Sequence, residues 1–362
     1  MTNATAGSSL WARAREIDRT VNVSRQQAGL LERRRLSAVP FSQDRLFDAM
    51  AEGEPVVFED LPVRVRHQHR LGTTAAVLQA LHDSFAASDR VRVRCGPSRT
   101  TKYLTVDQLL DRWASDRARV SVTDLHIRQS GMLSRIDCSR LSHFNVLAGA
   151  PDPVGAEEIL TMVVSSAGVF SDSHTDDPDG SNHCFTGRKL WLVWDTFAGL
   201  QAGLEDVERC NVYGNQARFS ITRFLAVPGS RWFIVGPGQT LFLPGHHTHK
   251  VITLERYLGV GSFFVMLPSY LRTLRRWTAH TPLWALTLPP ARRLELVDLI
   301  TSRVAGKVRE LGSASRRTQD RWGLRQIRAQ ARDLSRLPPR RVSRLFQDNQ
   351  RSLELLTALR ER

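Results

Sequence analysis

His174 and Asp176 stand two residues apart in the run Ser171-Asp172-Ser173-His174-Thr175-Asp176. On an extended strand, side chains at i and i+2 share a face, so this imidazole and carboxylate can grip one metal ion. Further on, Leu241-Phe242-Leu243-Pro244-Gly245-His246-His247-Thr248-His249 offers a third donor, His249. Two histidines and a carboxylate on one side of an ion, with the other positions open, form the donor set of non-haem Fe(II) oxygenases. A lone His-x-Asp is common, and the plain alternative is a surface loop, because Asp176-Asp177-Pro178-Asp179-Gly180 would make a good turn. The histidine cluster following the strand-like Thr240–Leu243 makes the combination more specific.

The other histidines are read more plainly. His183 and Cys184 are expected on a strand wall, packed or at the surface, and His67 and His69 in a solvated turn. His247 lies two residues from His249 and competes with it as the third donor. Lysine is scarce: Lys102, Lys189, Lys250 and Lys307 are the only four among 51 basic residues. A lysine inside the central motif, Lys189, is therefore more informative than it would be elsewhere, although a solvent-facing residue at a strand start is its bland reading.

These residues need elements to hold them. Between 219 and 265 the apolar runs are short and closely spaced: Phe224–Val227, Trp232–Val235, Thr240–Leu243, Val251–Leu254 and Leu258–Met266. They read as short antiparallel strands of a sandwich or barrel, with a jelly roll as the natural candidate. Ile159–Val164 and Lys189–Trp194 read as strands flanking the motif, and Val56–Phe58 and Val91–Cys95 as earlier ones. Helices are expected at about 43–51, 73–87 and 105–113, the last opening on a capping-type threonine. Residues 1–40 read as an arm or a pair of short helices. After Pro268 the pattern turns helical, with one helix opened by Pro289-Pro290 and ended by Gly312, a second from about Ser315 to Arg336, and a third beyond Pro338-Pro339.

The run Ala167–Asp176, then Gly187-Arg188-Lys189-Leu190-Trp191, then Pro237-Gly238-Gln239-Thr240-Leu241-Phe242-Leu243-Pro244 with His249 five residues later, resembles the Jumonji-C (JmjC, cupin-like) oxygenases. The resemblance is best over about 160–265; Pro55–Phe58 and the helix ending at Trp113 also look like the opening part of such domains. It implies a double-stranded β-helix using Fe(II), O2 and 2-oxoglutarate. His174, Asp176 and His249 match the iron ligands, and the offset from Pro244 favours His249 over His247. Lys189 matches the lysine that pairs with the far carboxylate of 2-oxoglutarate in the hydroxylase branch. Ser171 sits where the family often has a threonine on the same carboxylate. A cation and a hydroxyl suit a dicarboxylate in an apolar barrel. The sequence departs from the family in the last core strand, where an asparagine is frequent and Ser262 is the nearest substitute. Asn182 is a further cofactor-side candidate. The resemblance implies hydroxylation of an amino-acid side chain in a peptide, protein or specialised metabolite, with release of succinate and CO2. An aspartate at 176 fits hydroxylation rather than halogenation, which needs that ligand position vacated. An oxidative N-demethylase would share the site.

Composition bounds the rest. At 362 residues the chain can bury a large core. The expected organisation is a helical arm over 1–50, a catalytic domain over 51–268 and a basic helical region over 269–362. No apolar run is long enough for a transmembrane helix, no signal peptide is recognisable at the N-terminus, and Cys95, Cys138, Cys184 and Cys210 fit no zinc pattern, so a cytoplasmic protein with reduced thiols is expected. Residues 291–362 carry 18 Lys+Arg and 8 Asp+Glu, a balance of +10 out of a total of +15. Such helices can contact RNA, a ribosome or an acidic peptide. Their plainer role is a solvated face on a bundle that packs on the barrel or joins a homodimer. Two readings without 2-oxoglutarate chemistry remain: a catalytically silent cupin fold that binds RNA or protein, and a zinc- or manganese-dependent cupin enzyme.

Overall fold

The computed structural model describes residues 3–66, 71–96, 100–115, 117–127, 130–148, 159–176, 178–204, 219–279 and 290–360. His67, His69 and Cys210 lie outside them. The N-terminal third contains α1 (Asn3–Ile17), α2 (Arg25–Glu32), α3 (Gln43–Glu52), β1 (Val56–Phe58), β2 (Arg64–Val65), α4 (Thr73–Ser84), β3 (Val91–Cys95), β4 (Thr100–Leu104), α5 (Val106–Ala114) and β5 (Val120–His126). Next come β6 (Ile136–Asp137), β7 (Ile159–Ser165), β8 (Phe170–Asp176), β9 (Asp179–Thr186), β10 (Lys189–Asp195), α6 (Thr196–Gln201) and α7 (Ile221–Ala226). The strands β11 (Arg231–Val235), β12 (Thr240–Leu243), β13 (His247–Thr253) and β14 (Tyr257–Phe264) follow. The chain then turns helical through α8 (Leu267–Ala279), α9 (Pro290–Gly312), α10 (Arg316–Arg321), α11 (Leu324–Ser335), α12 (Pro339–Leu345) and α13 (Gln350–Arg360).

Two antiparallel sheets carry the core, one of eight strands in the order β1-β12-β9-β14-β7-β5-β3-β4 and one of four in the order β11-β10-β13-β8. Within the small sheet β10 is apolar on both faces from Leu190 to Trp194, because both are covered. Along β10, Leu190, Leu192 and Trp194 pack outward with residues of α1, α2 and α7, while Trp191 and Val193 pack inward with Leu241, Leu243 and Val251. The large sheet turns Met162, Val164, Val260 and Phe264 to a core shared with α3, α4 and α5. Alternating burial of this kind follows from the period-2 geometry of a strand. α5 begins as expected, with Thr105 and Gln108 closing a reciprocal capping box.

The structure departs from the sequence expectations in the loops and helices. Phe224–Val227 is not a strand: Ser220 caps the turn that starts α7, and Phe224 and Val227 bury toward the small sheet's outer core. The helix expected over Ser315–Arg336 is two helices, because Gly323 adopts a left-handed φ of +69° and a Cβ there would meet Pro268 Cγ at 2.4 Å. The helix beyond Pro338-Pro339 is likewise two, α12 and α13, separated at Gln347 and Asp348, both with positive φ. Within residues 1–50 the chain forms helices, as expected, and these pack on the rest of it. α1 and α2 cover the small sheet, and α3 meets the C-terminal helices, where Gln326 Nε2 donates to Asp48 Oδ1 at 2.8 Å. Those helices hold a core of their own, in which Leu267, Tyr270 and Leu274 of α8 meet Val297, Ile300 and Val304 of α9. Among the described residues no helix is long and apolar enough to cross a membrane.

Candidate metal centre

β8 and β13 run antiparallel, with His174 directly opposite His249 and Asp176 opposite His247. Strand alternation puts His174 and Asp176 on one face, and the pairing brings His249 beside them. One donor atom from each of the three lies within 4.8 Å of the others, and this is the one such cluster among the described residues. His249 Nε2 is 3.6 Å from Asp176 Oδ2, and the two imidazole centroids are 4.2 Å apart.

Backbone carbonyls decide the tautomers. His174 Nδ1 is 2.7 Å from the carbonyl oxygen of Asp172, and His249 Nδ1 is 3.1 Å from that of His247. A carbonyl can only accept, so each Nδ1 carries the proton and each Nε2 keeps its lone pair for a ligand. Burial, then the neighbouring His174, pushes the His249 pKa down to about 4, against the opposing pull of Asp176. Its neutral, metal-binding form therefore prevails at neutral pH. His247 sits outside the cluster: its Nδ1 donates to the carbonyl of Pro244 at 3.0 Å, and burial holds its pKa at about 3. It opens β13. His246, at φ +61°, is also buried. His183 is buried in β9 with its ring against the Thr240 hydroxyl at 2.7 Å, a packed residue as expected.

The cluster faces a cavity of about 350 Å³ between the two sheets, into which Ser171, Asn182 and Lys189 also open. Lys189 is in place because Gly187, at φ +82°, turns the chain tightly before β10; a Cβ there would lie 2.0 Å from the Arg256 carbonyl oxygen. Lys189 is 4% exposed. Its Nζ lies 3.3 Å from Ser165 Oγ and 4.5 Å over the Tyr257 ring, and among the described residues it has no carboxylate partner. Burial accordingly drives its pKa down to about 7. Trp191 Nε1, on the same strand as Lys189, is buried without a hydrogen-bond partner. A buried amine without an acidic partner and an orphaned indole N–H make a lining that suits a small anionic, oxygen-rich ligand.

Ser171 reaches the cavity through a bulge. It pairs with Val251 while His174 pairs with His249, so β8 spends three steps where β13 spends two. The extra residue restores Ser171 to the ligands' side despite its odd offset. Asn182 accepts a hydrogen bond from the Tyr257 hydroxyl at the cavity wall. Ser262 borders the cavity, but alternation sets its side chain with Val260 and Phe264, on the helix-covered face. The inward position is Gly261, where a Cβ would meet Asn182 Nδ2 at 3.6 Å and Thr161 Oγ1 at 3.7 Å. The sequence reading missed Ser165 and Tyr257, the residues touching Lys189; nothing in their local pattern marks them, because both lie on strands that meet β10 only across the fold. No family model matches the chain, and no curated protein matches its sequence.

Proposed function

We propose that the chain is a JmjC-type oxygenase of the hydroxylase branch, dependent on Fe(II) and 2-oxoglutarate. The observation that carries it is the pairing in one cavity of a two-histidine, one-carboxylate cluster with a buried lysine that has no acidic partner. Strand order supports the jelly-roll form of this fold: β7-β14-β9-β12 in one sheet and β8-β13-β10-β11 in the other interleave the eight consecutive strands β7 to β14. His174 Nε2, His249 Nε2 and an Asp176 oxygen would hold the iron, leaving the cavity side open. Bound iron would supply the redox chemistry that couples O2 and 2-oxoglutarate to substrate oxidation, yielding succinate and CO2. The protein's own residues do the rest. The Lys189 ammonium pairs with the distal carboxylate of 2-oxoglutarate, the Ser171 hydroxyl adds a donor, and Trp191 screens His249 from water with its ring 5.3 Å away. The substrate is an amino-acid side chain in a peptide, protein or related metabolite.

The test has two parts. Mn(II), a redox-silent stand-in, is titrated calorimetrically into wild type and into His174→Ala and His249→Ala; each variant should lose metal affinity by about a hundredfold or more. Succinate formation is then followed with Fe(II), 2-oxoglutarate and a cell extract. Metal binding without any metal-dependent succinate, even with extract, would leave a silent cupin fold in place of an enzyme. Gain of one oxygen atom by the product marks hydroxylation, and release of formaldehyde marks N-demethylation by the same residues.

A further inference from the structure

The inner face of the eight-stranded sheet runs on past the smaller sheet, across β5, β3 and β4. Along β3, Val91, Val93 and Cys95 enter the helix-covered core, so alternation turns Arg92 and Arg94 to the opposite face. Register sets Arg92 opposite Tyr103, and Arg94 opposite Thr101 and Ser121. Tyr103 is 68% exposed. This shelf is continuous with the metal cavity: Arg92, Arg94 and Thr123 line it together with His174 and Asp176. Among the described residues neither guanidinium forms an ion pair. Most of the chain's surplus charge lies in its C-terminal helices, so two unpaired arginines at the cavity mouth are a separate feature.

We infer that the substrate is an acidic peptide, held at the cavity mouth by an anionic group, carboxylate or phosphate, on Arg92 and Arg94. This rests on the cavity being the catalytic one. Two guanidiniums two residues apart present parallel forks to an oxyanion. Reach follows from the sheet. β5 separates β3 from β7, so the β3 backbone at the cavity mouth lies about 10 Å from that of β7, whose Thr161 and Val163 line the cavity further in. An extended peptide covers about 3.3 Å per residue, which puts the anionic residue about three positions from the one that enters the cavity. Tyr103 offers the intervening stretch an exposed ring to lie on.

The experiment uses the full chain loaded with Mn(II) and three fluorescein-labelled octapeptides alternating glycine with aspartate, phosphoserine or asparagine. Anisotropy should show binding of at least one acidic peptide in preference to the asparagine one, and the Asp and phosphoserine arms identify the group. The R92A/R94A double variant should weaken that binding by about tenfold or more, as loss of charge-assisted hydrogen bonds does. The R340A/R341A variant, on the exposed face of α12, should leave it unchanged. Bound Mn(II) should also broaden the proton resonances of the bound peptide. Unchanged affinity in R92A/R94A, or loss only in R340A/R341A, overturns the inference. The two readings fail separately. Peptide binding through Arg92 and Arg94 in a protein that takes up no Mn(II) sinks the metal centre and leaves the shelf. Mn(II) binding with no dependence on Arg92 and Arg94 does the reverse.

Discussion

Lys189 was legible in the sequence by rarity and by its place fifteen residues after His174, but its chemistry was not. Only in the fold does it become an amine with hydroxyl and aromatic neighbours and no acid, with a pKa depressed from 10.5 to about 7. Its titration has a readable consequence. An anion binds the ammonium form, and the free protein loses that form as pH rises through about 7, whereas bound anion restores it. Affinity for 2-oxoglutarate, the proposed cosubstrate, should therefore fall by up to about tenfold per pH unit above neutrality. Calorimetric titrations across that range measure it, with Mn(II) present. In Lys189→Met most of the affinity and all of this pH dependence should vanish together. A pH-independent affinity in wild type would remove Lys189 from the cosubstrate's binding. His174 and Asp176 were legible as a pair, because strand alternation makes i, i+2 donors predictable, whereas His249 was favoured over His247 only through the resemblance.

The ladder between β8 and β13 holds the candidate metal donors, and one element packed behind it was not foreseen. Lys250, next to His249, points away from the cavity and is fully buried between the Phe170 and Phe219 rings, in contact with Asp18 after α1. The same carboxylate accepts from the backbone and hydroxyl of Thr20. This pair pins the N-terminal helices to the strand that carries a metal donor. Removing one member of a buried pair leaves a charge without compensation, at about 3–5 kcal/mol. Asp18→Ala should lower stability by that amount in urea denaturation, while an exposed pair such as Arg351–Glu354 should matter far less. A loss under about 1 kcal/mol for Asp18→Ala would show that the helices are held by apolar packing alone. Of the two lysines beside the central strands, one faces the cavity and the other locks the layer behind it. Scarcity drew attention to Lys189 alone, and nothing local marked Lys250.

Four buried histidines set the molecule's response to acid. Burial lowers the pKa of His183 and His249 to about 4, and of His246 and His247 to about 3, from 6.5. Each is protonated in the unfolded chain below 6.5 while the folded protein resists, so stability is full above that pH and falls as pH drops from 6.5 toward 4. Asp179 works the other way. It is buried among Gly245, Met266 and Ser269, with its pKa raised to about 6, so folding takes up a proton there between about 6 and 3.8. Four groups outweigh one. Urea midpoints should decline steadily below pH 6.5, and the net proton uptake on unfolding should approach about three near pH 5. Flat stability from pH 7 to about 4 would mean that these imidazoles are solvated.

What the sequence alone determined is what depends on local periodicity: the shared face of His174 and Asp176, most strands from 159 to 264, the capping of α5, and the change to helix after Pro268. Its errors came where a single residue's partner decides the backbone. Gly323 breaks a helix because it abuts Pro268, and Phe224–Val227 coils because Ser220 caps it over an apolar face. Tertiary structure alone decided which histidine joins the cluster, that a bulge brings Ser171 inward while alternation turns Ser262 away, and that Arg92 and Arg94 border the same cavity. These are long-range facts. They follow from register between strands far apart in the chain, and a shift of one residue in that register would have reversed each of them.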